Sequence, residues 1–143
     1  MLFKPSSSPA PGPTGHADTI FTFQDGTTKP EPIIGTLDQQ WLIDNGYYHP
    51  FDPDTEDPPY WIKTITQVDV GNTVTSIDDE TFGYCESITN VTFQENLINI
   101  GSRAFVNCFA LTGELIIPST VTDIGTGAFN NCRITSVTIG QGV

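Results

Sequence analysis

The sequence predicts a mainly β repeat solenoid with a parallel strand ladder, preceded by a small α+β N-terminal cap. Three observations carry this. Phe82, Phe105 and Phe129, and likewise Cys85, Cys108 and Cys132, recur at steps of 23 and then 24 residues. Each of these marks is preceded by apolar residues two apart: Val68 and Val70, Val91 and Phe93, Leu115 and Ile117. A turn segment follows every such pair: Gly71-Asn72, Gln94-Glu95-Asn96, Pro118-Ser119. A fixed period of this length marks a stack of coils. The chain of 143 residues divides into a leader (1–16), a cap (17–61) and three and a half repeats (62–143).

In the leader, Pro5, Pro9, Pro11 and Pro13 with Gly12 and Gly15 favour extended, polyproline-like chain. One Lys followed by prolines, with no apolar run, does not make a secretory signal. Two readings stay open: a floppy leader, or a docking tail anchored on a partner by Leu2, Phe3 and Pro5.

The cap begins with a hairpin. Residues 20–23 alternate, Asp25-Gly26 is a strong turn pair, and a second run ends at Ile33-Ile34. Pro30 and Pro32 assign that second strand to an edge. Thr36 and Gln39 have the spacing of a capping box, opening a short helix that Gly46 ends. Leu37, Trp41 and Leu42 on it would cover the open first coil, as the end of a solenoid requires. Residues 47–61 alternate aromatics and prolines around Asp52, Asp54, Glu56 and Asp57. Oxygen ligands at alternate positions suit Ca²⁺, but the glycine and final glutamate of an EF-hand loop are missing, which favours a solvated acidic loop. Tyr47, Tyr48, Tyr60 and Trp61 have two open readings: a platform for carbohydrate or protein, or packing of the cap onto the first coil.

Within one repeat, the apolar pair puts two side chains on one face of a strand, and branched residues dominate there. A second extended piece ends at Ile77, Ile100 or Ile124, and the Ala-Phe-x-x-Cys segment closes the coil as a short helical or 3₁₀ turn. Gly113 is an insertion, and one residue is missing after Cys132. Both irregularities fall in the same connection, so the strands are expected to stay in register. One coil cannot bury its own apolar side; stacked coils share a core. The phenylalanines and cysteines then form interior ladders. Parallel Cβ vectors oppose disulfides, and three collinear thiols without a nearby His make no metal site. Buried free thiols are expected.

Phe82-Gly-Tyr-Cys85, Ala104-Phe-Val-Asn-Cys108 and Ala128-Phe-Asn-Asn-Cys132 resemble the BspA-like class of leucine-rich repeat, as does Leu115 to Gly125 with its Ile-Ile-Pro-Ser-Thr-Val-Thr-Asp-Ile core. The resemblance covers about residues 62–143. The first repeat departs from it, with Asp78-Asp79 where the family prefers Gly and Thr81 where it prefers Ala. The resemblance implies a non-enzymatic binding or adhesion protein of a bacterial surface; similar arrays occur in phage virion proteins.

Five Lys plus Arg against 17 Asp plus Glu give a net charge of −12. That sign argues against nucleic acid, whose phosphates call for clustered Lys and Arg, and against an anionic membrane surface. No apolar run is long enough to insert in a membrane. His16 and His49, the two histidines, accompany no nucleophile, phosphate loop or HExxH spacing, so neither enzymatic activity nor a cofactor is expected. The binding surface is expected on outward positions of the ladder: Gln67 and Asp69, Asn90 and Thr92, Glu114 and Ile116, Ser136 and Thr138. The other reading of that strip is a solvated sheet face. Two functions compete: a recognition or adhesion module for a glycan or protein, secreted or on a cell surface, and a virion decoration or fibre component docked on a capsid or tail by the leader. The missing export signal favours the virion. The array stops mid-repeat at Val143, so the expectation is either a continuation of the chain or a second subunit, as in a homo-oligomer, covering that end.

Overall fold

In the computed structural model, residues 16–140 are described; the leader positions Leu2, Phe3 and Pro5 and the last three residues lie outside them. Each repeat forms one coil with three sides. The first side is a ladder of β1 (Thr19–Phe23), β2 (Thr28–Glu31), β6 (Ile65–Asp69) and β8 (Asn90–Thr92), in the order β2-β1-β6-β8. The second side is the ladder of β3 (Gly35–Leu37), β7 (Val74–Ile77), β9 (Asn99–Ile100) and β11 (Asp123–Ile124). Successive coils pair in parallel on both sides, Val68 beside Val91 and Ile77 beside Ile100. The third side is the segment from Ala104 to Cys108 and its equivalents.

That third side is not the helical turn that the sequence suggests. It is two successive β-turns, each passing through a left-handed residue: Glu80 and Tyr84, Arg103 and Asn107, Gly127 and Asn131. The reversal swings backbone groups toward the neighbouring coil. Phe82 and Phe105 donate N–H bonds to the carbonyls of Ala104 and Ala128, at 2.7 and 2.8 Å. Regular helix would have kept these groups within the segment.

The cap is joined to both ladders. β1 adds antiparallel to β6, and β3 adds parallel to β7. β2, with Pro30, takes the edge. Recruiting Gly35–Leu37 into the second ladder removes Thr36 from its expected capping role. The helix α1 (Gln39–Asp44) is capped instead by Asp38, whose carboxylate accepts the Trp41 N–H at 2.8 Å. Its C-terminus is a Schellman motif: Gly46 at φ 81° donates to the Ile43 carbonyl, and Tyr47 to that of Leu42. Leu37 and Leu42 are buried, as cover for the first coil requires, while Trp41 is half-buried and stacks on Phe21 and Tyr47.

The first ladder is interrupted after β8. β10 (Thr112–Ile117) and β12 (Arg133–Ile139) form a separate two-stranded parallel sheet. The register shifts between Gly113 and Glu114, where Gly113 takes φ 82°. Thr135 of β12 is the bulged residue, and beyond it equivalent positions face one another, Leu115 beside Val137 and Ile117 beside Ile139.

The core runs the length of the stack. Rings of Trp61, Phe82, Phe105 and Phe129 lie nearly parallel, with centroids 6.0, 5.3 and 5.3 Å apart. Burial fades toward the last coil: Val68 and Val70 are fully buried, whereas Val137 and Ile139 are 50% and 55% exposed. Phe129 and Cys132 are accordingly only half-buried.

Candidate functional site

Two surfaces carry the residues that the sequence singles out. The first is a groove of about 520 Å³ between the cap and the first coil. One wall is the antiparallel pair β4 (Tyr48–His49) and β5 (Tyr60–Trp61), the stem of the acidic loop. The opposite wall is the first coil's turn, from Tyr84 to Ser87. The rings are held in place. Trp61 donates its indole N–H to the Gly83 carbonyl at 3.2 Å and stacks on Phe82. Tyr48 meets Trp61 edge-on at 5.0 Å, and Tyr60 stacks on His49 at 4.6 Å. Burial, and then the Glu80 carboxylate, hold the Tyr48 phenol above its ordinary range. Lys63, Thr64, Glu86 and Ser87 supply the polar lining.

Tyr47 does not belong to this platform. It is 1% exposed, packs on Phe21 at 4.8 Å, and donates its hydroxyl to Glu31 at 2.5 Å. Burial and the Glu31 carboxylate raise its pKa. Tyr47 therefore packs the cap, while Tyr60 is 51% exposed at the groove. Tyr84, 55% exposed, completes the groove and is absent from the sequence reading. The signal was a break of period: Tyr84 stands where the next two repeats have Asn107 and Asn131.

The acidic loop folds on itself. Asp52 accepts the Asp54 N–H at 2.9 Å, which holds its carboxyl below the usual range, and Asp52 bridges Asp57. Among the described residues no group of three or more His, Cys, Asp or Glu is placed to hold a metal, and no helix is long and apolar enough to cross a membrane.

The second surface is the outer face of the first ladder, and it divides where the ladder does. Across β6 and β8 the polar residues satisfy one another. Gln67 donates to Asp69 at 3.1 Å and Thr92 to Asp69 at 2.6 Å; Asp69 is 8% exposed and Asn90 half-buried. Asp69 is therefore not a freely accessible binding position, while Gln67, Asn90 and Thr92 are half-buried. Glu114, Ile116, Ser136 and Thr138, on β10 and β12, are exposed; Thr138 donates to Glu114 at 2.8 Å.

The thiols are free. Cys108 and Cys132 point their S–H groups at the carbonyls of Phe82 and Phe105, one coil back, at 3.2 and 3.1 Å. Burial pushes the Cys85 thiol well above its ordinary range. These sulfurs are spacers between coils.

Stacked parallel coils of 23 to 24 residues, each with one inward Phe and one inward Cys, define a leucine-rich-repeat solenoid. The family model for the BspA type leucine-rich repeat region (6 copies) matches residues 60–143, and the chain belongs to that family. Comparison with curated proteins and with solved structures gives no match for the chain. Family membership makes this a repeat protein of the surface and adhesion type, a class typically built for non-enzymatic protein interaction.

Proposed function

We propose that the chain is a non-enzymatic recognition protein displayed on an external surface, which engages a protein or glycan partner with the outer face of its repeats. The observation that supports this is the exposed quartet Glu114, Ile116, Ser136 and Thr138. It places a large apolar side chain, Ile116 at 59% exposure, among hydrogen-bonding groups on a two-stranded sheet. An exposed apolar centre with a polar rim is the anatomy of a recognition patch. The test is attachment of the purified chain to candidate host surfaces, compared with Ile116→Lys and Thr138→Lys. Both sites are exposed, so the fold should survive, and attachment should fall by roughly tenfold or more if the patch is central. Unchanged attachment in both variants would sink the strand-face reading.

Within this function we place the protein on a virion, as a decoration or fibre component. The proline-rich composition of the leader suits a docking tail on a capsid or tail partner, with Leu2, Phe3 and Pro5 as its anchor. Fractionation separates this from a secreted or cell-wall adhesin. The chain should travel with virions and lose that association when residues 2–15 are deleted; recovery with the cell wall would favour the adhesin.

A further inference from the structure

The first coil departs from its own pattern at an informative position. Tyr84, Asn107 and Asn131 occupy equivalent places in successive turns, all left-handed, with φ of 61°, 57° and 62°. Asparagine enters that region readily; a bulky side chain does so at a cost. Burial does not offset the cost, because the Tyr84 ring is 55% exposed. Strain retained at an exposed aromatic residue points to a use for the ring. That ring faces the groove whose other wall carries Tyr48, Tyr60 and Trp61.

We propose that this groove binds a neutral saccharide. The rings of Tyr60 and Tyr84 stack on the sugar's C–H faces, and Lys63, Glu86 and Ser87 take its hydroxyls. The inference rests on the recognition reading above and adds to it a ligand class and a site off the strand face.

Three features select that ligand. The volume, about 520 Å³, lies within the usual range for small-ligand sites, about 300–1,000 Å³. A sugar offers both an apolar face for a ring and a fringe of donors and acceptors. The groove matches this: among the described residues, the side chains of Lys63, Glu86 and Ser87 make no protein hydrogen bond or ion pair. Charge then narrows the class. Lys63 and Glu86 balance at the rim, while the chain as a whole carries −12, which disfavours a sialylated, sulfated or phosphorylated ligand. The rings are also preorganised, Trp61 by its bond to Gly83 and Tyr60 by its stack on His49, so little freedom is lost on binding. An aromatic groove can also take a proline-rich peptide, but the polar lining of Lys63, Glu86 and Ser87 fits hydroxyls better than pyrrolidine rings.

The test is calorimetric titration of the full chain with cellotriose, mannotriose, maltotriose and triacetylchitotriose. 3′-Sialyllactose and a peptide of residues 5–13 serve as controls. At least one neutral trisaccharide should bind one-to-one at millimolar concentration or below. Tyr84→Asn and Tyr60→Ala should each weaken it by roughly fivefold or more, as loss of an aromatic contact implies. Tyr84→Asn installs the residue the next two coils use, so its Tm should not fall; a loss of affinity in a chain of undiminished stability belongs to the ring. The proposal is overturned if none of the four sugars binds, if both variants bind as the parent does, or if sialyllactose or the peptide binds better than the neutral sugars. If the sugars fail while surface attachment remains sensitive to Ile116→Lys, the groove is wrong and the strand-face reading stands.

Discussion

Phe105 stacks between Phe82 and Phe129 at 5.3 Å on each side and is fully buried. Its coil neighbours are fixed by hydrogen bonds, so the structure cannot close the hole its removal would leave. Phe105→Ala should therefore cost about 3–5 kcal/mol, read by chemical denaturation; a loss below about 1 kcal/mol would mean the ring column is not the core. The thiols offer a second check. Cys85 and Cys108 are buried and should label slowly in the native protein, and completely once it is unfolded, whereas half-buried Cys132 should label first. Burial raises Cys85 above its ordinary 9.0 and Tyr47 above its ordinary 10.0. Above those values the unfolded chain gives up protons that the folded chain retains, so folding stability must fall as pH rises. Thermal unfolding should show a Tm that declines from about pH 9 upward, and Tyr47→Phe should lessen the decline above pH 10. A Tm flat to pH 11 or so would contradict the buried, protonated state of these groups.

Between coils, the closest approach is made through glycine. A Cβ on Gly101 would lie 2.5 Å from the Asp79 nitrogen, and one on Gly125 would lie 2.3 Å from the Ser102 nitrogen. Backbone stacks on backbone at these corners, which explains why Asp78 is tolerated at the same place in the first repeat. Above Asp78 lies the end of β3, whose Leu37 carbonyl accepts the Asp78 N–H, and no complete coil. Gly125→Ala should destabilise by about 1–3 kcal/mol through overpacking, with equilibrium unfolding as the measure; a neutral substitution would mean the coils can separate there at little cost. The coils, the hairpin, the Gly46 helix stop and the inward Phe and Cys ladders were legible because each rests on spacing within about 25 residues. What escaped the sequence depends on partners distant in the chain. Thr36 lost its capping role to a ladder whose other strand begins at Val74. Tyr47 left the aromatic platform because Phe21 and Glu31 enclose it. Gly113 was readable as an insertion, but the bulge at Thr135 across from it depends on how β12 pairs. The groove was half legible, since Tyr84 is brought to Tyr60 only by the fold.

Charge and apolar surface are distributed unequally over the whole molecule. Five basic and 17 acidic residues give −12, yet beyond Leu111 the only charged residues are Glu114, Asp123 and Arg133, net −1. That same end is apolar. Ile124, Val137 and Ile139 are 39%, 50% and 55% exposed, and with Phe129, Cys132 and Ile134 they line a hollow of about 270 Å³. Among the described residues β12 pairs on one side only, with β10, which leaves an edge of seven residues open. An open edge recruits strands, and depletion of charge around apolar side chains is the composition of an interface core. The opposite end shows one way such an edge is closed: β1 lies antiparallel on β6 and sets Phe21 over Phe82 at 6.4 Å. A second copy can repeat that arrangement, β12 against β12 with Val137 at the two-fold axis. Opposed residues then keep one face, and Ile139 of each copy turns toward the shared core. The 143-residue chain should therefore self-associate in sedimentation velocity runs as concentration rises, and Val137→Lys or Ile139→Lys should restore the monomer. Both residues are at least half exposed in the single chain, so these changes should leave its Tm nearly unaltered. A parent chain that sediments as a monomer throughout a wide concentration series would show that the last coil is stable uncovered, and the shared-edge arrangement would be wrong.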